Sequence, residues 1–225
     1  MNHILMAVAP ILVIIVYIYF QDKYDKEPKG LLLVSFILGA VASIIIVMLI
    51  YILTGHLLPI TDEYSVIQQF VQAFFVVALS EEFSKYIFVK YFGQTRKAFD
   101  EPYDGIMYAV MVSMGFACTE NILYVLEGGY EVAILRAFTA VPAHATFGIL
   151  MGYYMGKAKF SKNRFLLNMT GLFTAVLFHG AYDFFLFINF IPGISIGAFV
   201  SLIVAIVLSK KAIRIHQNNS YFKKI

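Results

Sequence analysis

The chain has 225 residues, 60% of them hydrophobic and only 14% charged, with a mean hydropathy of +0.79. Soluble domains carry about 25% charged residues, so the composition excludes a soluble globular protein and leaves no stretch for a separate soluble domain. The net charge of +3 gives no reason to expect a nucleic-acid partner, and the single cysteine, Cys118, excludes an intrachain disulfide and a cysteine-rich metal site.

A membrane helix needs about 20 apolar residues. Seven such segments are predicted in chain order: 3–20, 30–53, 65–92, 103–126, 132–156, 165–188 and 194–210. They describe an all-α, polytopic transmembrane helical bundle, a single integral-membrane domain over residues 1–225 with a motif-bearing core at about 64–190. The period-2 alternation of a β-barrel is missing. The first segment has no basic residues ahead of its apolar run, and Lys23, Lys26 and Lys29 follow it. That order predicts an uncleaved anchor rather than a signal peptide.

The loops set an orientation. Basic residues gather at 23–29, 90–97, 157–164 and in the tail from 210. The loops at 55–62, 127–131 and 189–193 hold no Lys or Arg, and the first two of these are acidic. The positive-inside rule then places the N-terminus outside and the C-terminus in the cytoplasm.

Within this apolar background, four successive spans carry ionisable groups. A charge at the bilayer centre costs roughly 2.5–3.5 kcal/mol on insertion scales, so such groups are functional-site candidates by default. In the third span, Lys85 lies one turn from both Glu81 and Glu82, and can reach either. It can hold one acid as a carboxylate and leave the other as a general base; a packing salt bridge is the plainer alternative. The fourth span carries Phe116-Ala-Cys-Thr-Glu120-Asn121. Glu120 can orient water, ligate a metal or hold a histidine, whereas Asn121 suits an interhelical hydrogen bond. Asp104 reads as the N-cap of this span, and Cys118 as a packing residue.

In the fifth span His144, Gly148, Gly152 and Gly156 recur at four-residue steps, a row that permits close helix contact with the histidine in the same seam. Arg136 lies near the outer end of this span and is expected to snorkel to the interface. In the sixth, His179 and Asp183 form an i,i+4 pair in which the carboxylate fixes the ring tautomer. The groups are expected to converge near the midplane, in a cavity wetted more easily from outside. Glu81, Glu82, Glu120, His144 and His179 compose an N/O donor set suited to zinc. The same groups can activate water without metal, with Glu as the base and a protonated His or Asn stabilising the oxyanion. Both versions stay open, and a transporter or proton relay would also use such groups.

Four motifs in order, Glu81-Glu82-x-x-Lys85, Phe116-x-x-x-Glu120-Asn121, His144-x-x-x-Gly148 and His179-x-x-x-Asp183, resemble the PrsW family of bacterial intramembrane proteases. The resemblance runs from about residue 20 to 190. More distantly the pattern is similar to the CAAX prenyl protease and bacteriocin-immunity superfamily. There the first motif ends in Arg with one more spacer, His stands in place of Glu120, and Asn in place of Asp183. The resemblance implies a multi-pass endopeptidase of the bacterial cell membrane. Its implied substrate is a single-span, membrane-anchored anti-sigma factor, cut on the extracytoplasmic side to start sigma-factor release. It further implies that Glu81 or Glu82, with Glu81 favoured, activates the water, and that His144 and His179 stabilise the oxyanion or protonate the leaving amine. Lys85, Asn121 and Asp183 would support them, with Glu120 helping to position the histidines.

Overall fold

The computed structural model describes residues 3–224, and among them there is no β-strand. Seven helices follow in order: α1 (His3–Gln21), α2 (Lys29–Leu57), α3 (Val66–Gly93), α4 (Pro102–Phe138), α5 (Ala140–Lys159), α6 (Arg164–Phe187) and α7 (Ile196–Asn218). A 3-10 turn, Tyr221–Lys224, ends the described chain. Among the described residues six stretches are long and apolar enough to cross a membrane, and one of them, Pro102–Lys159, has 58 residues. At about 1.5 Å per residue that stretch is far longer than a hydrocarbon core of roughly 30 Å. It divides at Thr139 into α4 and α5.

The centre of the bundle is α4. Every residue from Pro102 to Cys118 is buried, as expected of a helix that is apolar all round. It packs against α1, α2 and α5. Along the glycine row the α4–α5 contact brings backbone against backbone. A Cβ at Gly152 or Gly156 would collide with the Gly105 or Pro102 carbonyl oxygen of α4, so the glycine row brings the helices as close as its spacing suggests. Cys118 is buried in this core.

Four local departures position the site. π-Helical turns occur in α2 at Leu38–Ser43 and in α3 at Gln72–Ala78 and Val89–Gly93. Such turns are frequent at functional sites, and the second ends just ahead of Glu81. The other departure is Gly129, whose φ of 68° and ψ of −148° interrupt α4, a conformation natural only to glycine. Beyond it the segment 130–138 turns back along the preceding turns of α4, where Ala133 packs with Val125 and Ala7.

This arm corrects two expectations. The fifth span begins at Ala140 rather than at 132, because the chain spends nine residues (130–138) in the returning arm. Arg136 therefore does not snorkel to the interface: it faces inward against Glu120. Asp104 is also displaced from its expected role. Glu101 is the N-cap of α4, Pro102 opens the helix, and Asp104 closes a capping box at the third helical position.

Candidate active site

The seven ionisable groups of the four motifs meet in one place. On α3 the helical spacing lets the Lys85 ammonium donate to Glu82 Oε1 at 2.7 Å and to Glu81 Oε2 at 3.5 Å. It also lies 3.3 Å from His144 Nδ1 and 4.2 Å above the Phe116 ring. Glu82 is 0% exposed and Lys85 1%. Charges so deeply buried persist only when paired and hydrogen-bonded, and here each has its partner.

The histidines enter from α5 and α6. His144 Nε2 lies 2.9 Å from Glu120 Oε2. With a carboxylate on one side and an ammonium on the other, the tautomer is assigned by its partners: Nε2–H donates to Glu120, and Nδ1 accepts from Lys85. His179 Nδ1 lies 2.9 Å from Glu82 Oε1, and its Nε2 lies 3.2 Å from Asp183 Oδ2 and 4.0 Å from Glu81 Oε2. A carboxylate at each nitrogen allows this ring to donate on both sides. Phe147 stacks against it, with centroids 4.9 Å apart, and His144 meets it edge-on at 5.4 Å.

Two side chains outside the four motifs complete the arrangement. Arg136 Nη2 donates to Glu120 Oε2 and its Nε to Asn121 Oδ1, each at 2.7 Å, and the guanidinium lies 4.1 Å from the Tyr124 ring. The two contacts span 15 and 16 residues of sequence; a straight helix would separate them by roughly 24 Å, so the Gly129 reversal makes them possible. Asn121 Nδ2 donates in turn to the Ala7 carbonyl of α1 at 2.7 Å, the interhelical bond its residue type suggested. From α2, the Tyr51 hydroxyl donates to Glu81 Oε1 at 3.0 Å. Arg136 carried a signal, being a lone charge in an apolar stretch, but its reach depends on the arm. Tyr51 carried none: it is one of 15 tyrosines.

A cavity of about 540 Å³ opens onto this constellation. Glu81, Glu120, His144, His179, Asp183, Arg136 and Tyr51 reach its wall, among apolar neighbours that include Val47, Phe116, Phe147 and Leu186. Glu82, Lys85 and Asn121 lie behind that wall. The two adjacent acids are thereby separated: Glu81 faces the cavity, and Glu82 anchors Lys85 and His179.

Glu81, Glu82, His144 and His179 each offer a ligand atom, all within 4.8 Å of one another. Glu82 Oε2 is buried without a hydrogen-bond partner. Two carboxylates, two imidazoles and an orphaned oxygen fit a divalent cation such as zinc. Glu120 lies outside this group and reaches it through His144.

Comparison with known proteins places the chain in a family. Residues 27–211 match the model of a family described as PrsW family intramembrane metalloprotease. The chain is similar to Protease PrsW of Oceanobacillus iheyensis, 43% identical over 180 residues that cover 80% of each chain. It is 41% identical over 181 residues to Protease PrsW of Geobacillus kaustophilus, covering 80% of this chain and 77% of the relative. With Protease PrsW of Bacillus subtilis the identity is 38% over 181 residues, covering 80% of each. No solved structure matches.

Proposed function

Because the chain belongs to the PrsW family of intramembrane proteases, a peptidase of the multi-pass bacterial membrane class, we propose that its substrate is a single-span, membrane-anchored anti-sigma factor. It is cut on the extracytoplasmic side, as the first cleavage towards sigma-factor release. The orientation that supports this reading follows from the loop charges. With Pro102–Lys159 taken as two crossings, seven spans put the N-terminus outside, and Glu120, Arg136 and Asp183 in the outer half. The family assignment favours peptide hydrolysis over the transporter or proton relay that the same groups would suit.

The observation that carries the mechanism is the separation of the acid pair, with Glu81 on the cavity wall and Glu82 behind it. Glu81 is the general base that takes a proton from the attacking water. Glu82 stays behind as the shared anion of Lys85 and His179. His179, with Nε2–H between Asp183 and Glu81, holds the proton that the leaving amine receives or stabilises the charge that precedes it. His144 presents its ring edge to the same space, oriented by Glu120, which Arg136 and Asn121 hold in place. A zinc ion would be held by Glu82, His144 and His179, each histidine first losing the proton from the nitrogen that ligates, with Glu81, the fourth donor within reach, left free as the base. Bound there, it would supply Lewis-acid polarisation and acidify water.

The test is cleavage of a single-span reporter by the purified protein in liposomes. Cutting near the outer boundary is expected, and Glu81→Gln or His179→Ala should abolish it while the protein keeps its melting profile. Full activity in either variant would sink the proposed roles. Elemental analysis should find about one divalent metal per chain, and less in His144→Ala; a metal-free, fully active preparation would reject the zinc assignment.

A further inference from the structure

A tetrahedral intermediate needs hydrogen-bond donors already aimed at the place where negative charge develops. Most donors on the cavity wall are already committed to acceptors. His144 Nε2 serves Glu120, and His179 serves Glu82 and Asp183. Arg136 serves Glu120 and Asn121, and the Thr139 hydroxyl donates to the Leu135 carbonyl at 2.7 Å. Redirecting any of the charged donors would strip a buried or half-buried carboxylate of a partner, which is costly.

Tyr51 differs. Its acceptor is Glu81, at 3.0 Å, the one acid whose charge is cancelled during the reaction. A hydrogen bond to a charged acceptor is roughly twice as strong as a neutral one, so the Tyr51–Glu81 bond weakens at the moment Glu81 takes the water proton. The phenol is then released beside the new oxyanion, with no carboxylate left unsatisfied. Tyr124 and Tyr182 also reach the cavity, but among the described residues neither is hydrogen-bonded to Glu81.

We propose that Tyr51 is a catalytic residue, which donates its phenolic hydrogen bond to the oxyanion of the tetrahedral intermediate. The proposal rests on the reading of Glu81 as the base. Water oxygen bonds to the carbonyl carbon, its proton passes to Glu81, and the carbonyl π pair moves onto oxygen. Tyr51 O–H turns from Glu81 Oε1 to that oxygen and keeps its own proton throughout. On collapse the oxygen lone pair re-forms the double bond and the C–N bond breaks. The amine takes a proton from His179 Nε2, the proton on Glu81, 4.0 Å away, replaces it, and Tyr51 returns to the regenerated carboxylate.

The experiment uses the full chain in liposomes with the same single-span reporter, comparing wild type, E81Q and Y51F. Loss of one oxyanion donor lowers kcat by roughly 10²–10³-fold. That fall is expected for Y51F, with KM within about twofold, because the interaction exists only in the transition state. A phosphinate peptide that mimics the tetrahedral intermediate should lose affinity for Y51F by a comparable factor, while the cleaved product peptide should bind as before. Wild-type kcat in Y51F overturns the proposal, as does a raised KM at unchanged kcat. Should Y51F not keep its melting profile, Y51L repeats the comparison with the apolar bulk retained, and wild-type kcat there overturns the proposal equally. A wild type that cuts, an inert E81Q and a fully active Y51F defeat the role of Tyr51 alone. A fully active E81Q defeats the base assignment, and the Tyr51 role with it.

Discussion

Two clusters of acids lie along α4, and they are solved differently. In the site each carboxylate faces a cation or an imidazole: Glu82 has Lys85 and His179, Glu120 has Arg136 and His144, and Asp183 has His179. At the other end of α4, Asp22, Glu27, Glu101 and Asp104 are also buried, yet their partners are neutral. The Tyr108 hydroxyl donates to Glu27 at 2.5 Å, and Ser220 donates to Glu101. The Asp100 and Glu101 amides both donate to Asp104 Oδ2 at 2.8 Å. Lys26 donates to the Tyr19 and Asp22 carbonyls rather than to a carboxylate, and both oxygens of the Asp22 carboxylate are buried without a hydrogen-bond partner. Burial pushes Asp22 up to about 7, against the pull of Lys26, and pushes Glu27 up to about 7, against the Tyr108 hydrogen bond. Counter-charges make the first cluster a place where acids can work; their scarcity makes the second a place where acids hold protons.

The largest effect expected from breaking this contrast is in Glu82→Gln. It removes the anion shared by Lys85 and His179, and stripping one partner from a buried pair costs about 3–5 kcal/mol. Cleavage should be lost and the melting temperature in detergent should fall. E81Q should lose cleavage with far less loss of stability, because Glu81 reaches the cavity and keeps Tyr51 as a partner. Equal destabilisation by the two substitutions would show that the acids are not divided as described.

Next in size is Arg136. Arg136→Gln leaves Glu120 with His144 alone and frees Asn121 Oδ1, so a loss of roughly 10–100-fold in kcat is expected, the range seen when the partners that orient a site's ligands are removed. Arg136→Lys keeps the charge but not the forked geometry, and should fall between. A side chain that snorkelled to the interface would tolerate lysine without effect, so wild-type activity in Arg136→Lys would restore that view.

Arg136 also marks where the amino-acid sequence stops being informative. Helix class and the motif residues were legible because a membrane makes each buried charge conspicuous, and because i,i+3 and i,i+4 spacings fix intrahelical partners such as Lys85 with Glu82 and His179 with Asp183. The glycine row was legible for the same local reason. Contacts between helices were not. His179 with Glu82 spans 97 residues, and Tyr51 with Glu81 spans 30, and no periodicity encodes either. The arm was missed because a single glycine conformation, at Gly129, converts a loop-like acidic stretch into a reversal that carries Arg136 back to Glu120. The acid cluster at the far end of α4 was missed because Asp22, Glu27 and Glu101 sit at loop positions, where charged residues are ordinarily solvated.

The smallest effect concerns that cluster, and its sign is fixed by the direction in which burial moves the two acids. Asp22 and Glu27 have folded-state values raised to about 7 from 3.8 and 4.5. The unfolded chain loses its protons first. The stability these groups contribute is therefore fully present below about pH 4 and is lost as pH rises through about 7. The melting temperature in detergent should fall between pH 5 and 8. Asp22→Asn and Glu27→Gln remove the titrating groups, so each should flatten that slope. Each should also raise the melting temperature at pH 8, where the native acids are ionised in the folded chain against the penalty of their burial. Cleavage at pH 7 should match wild type, because neither residue reaches the cavity. An unchanged slope in both variants would mean that the protons lie elsewhere in the cluster, on Glu101 or Asp104, and loss of cleavage would tie the two ends of α4 together.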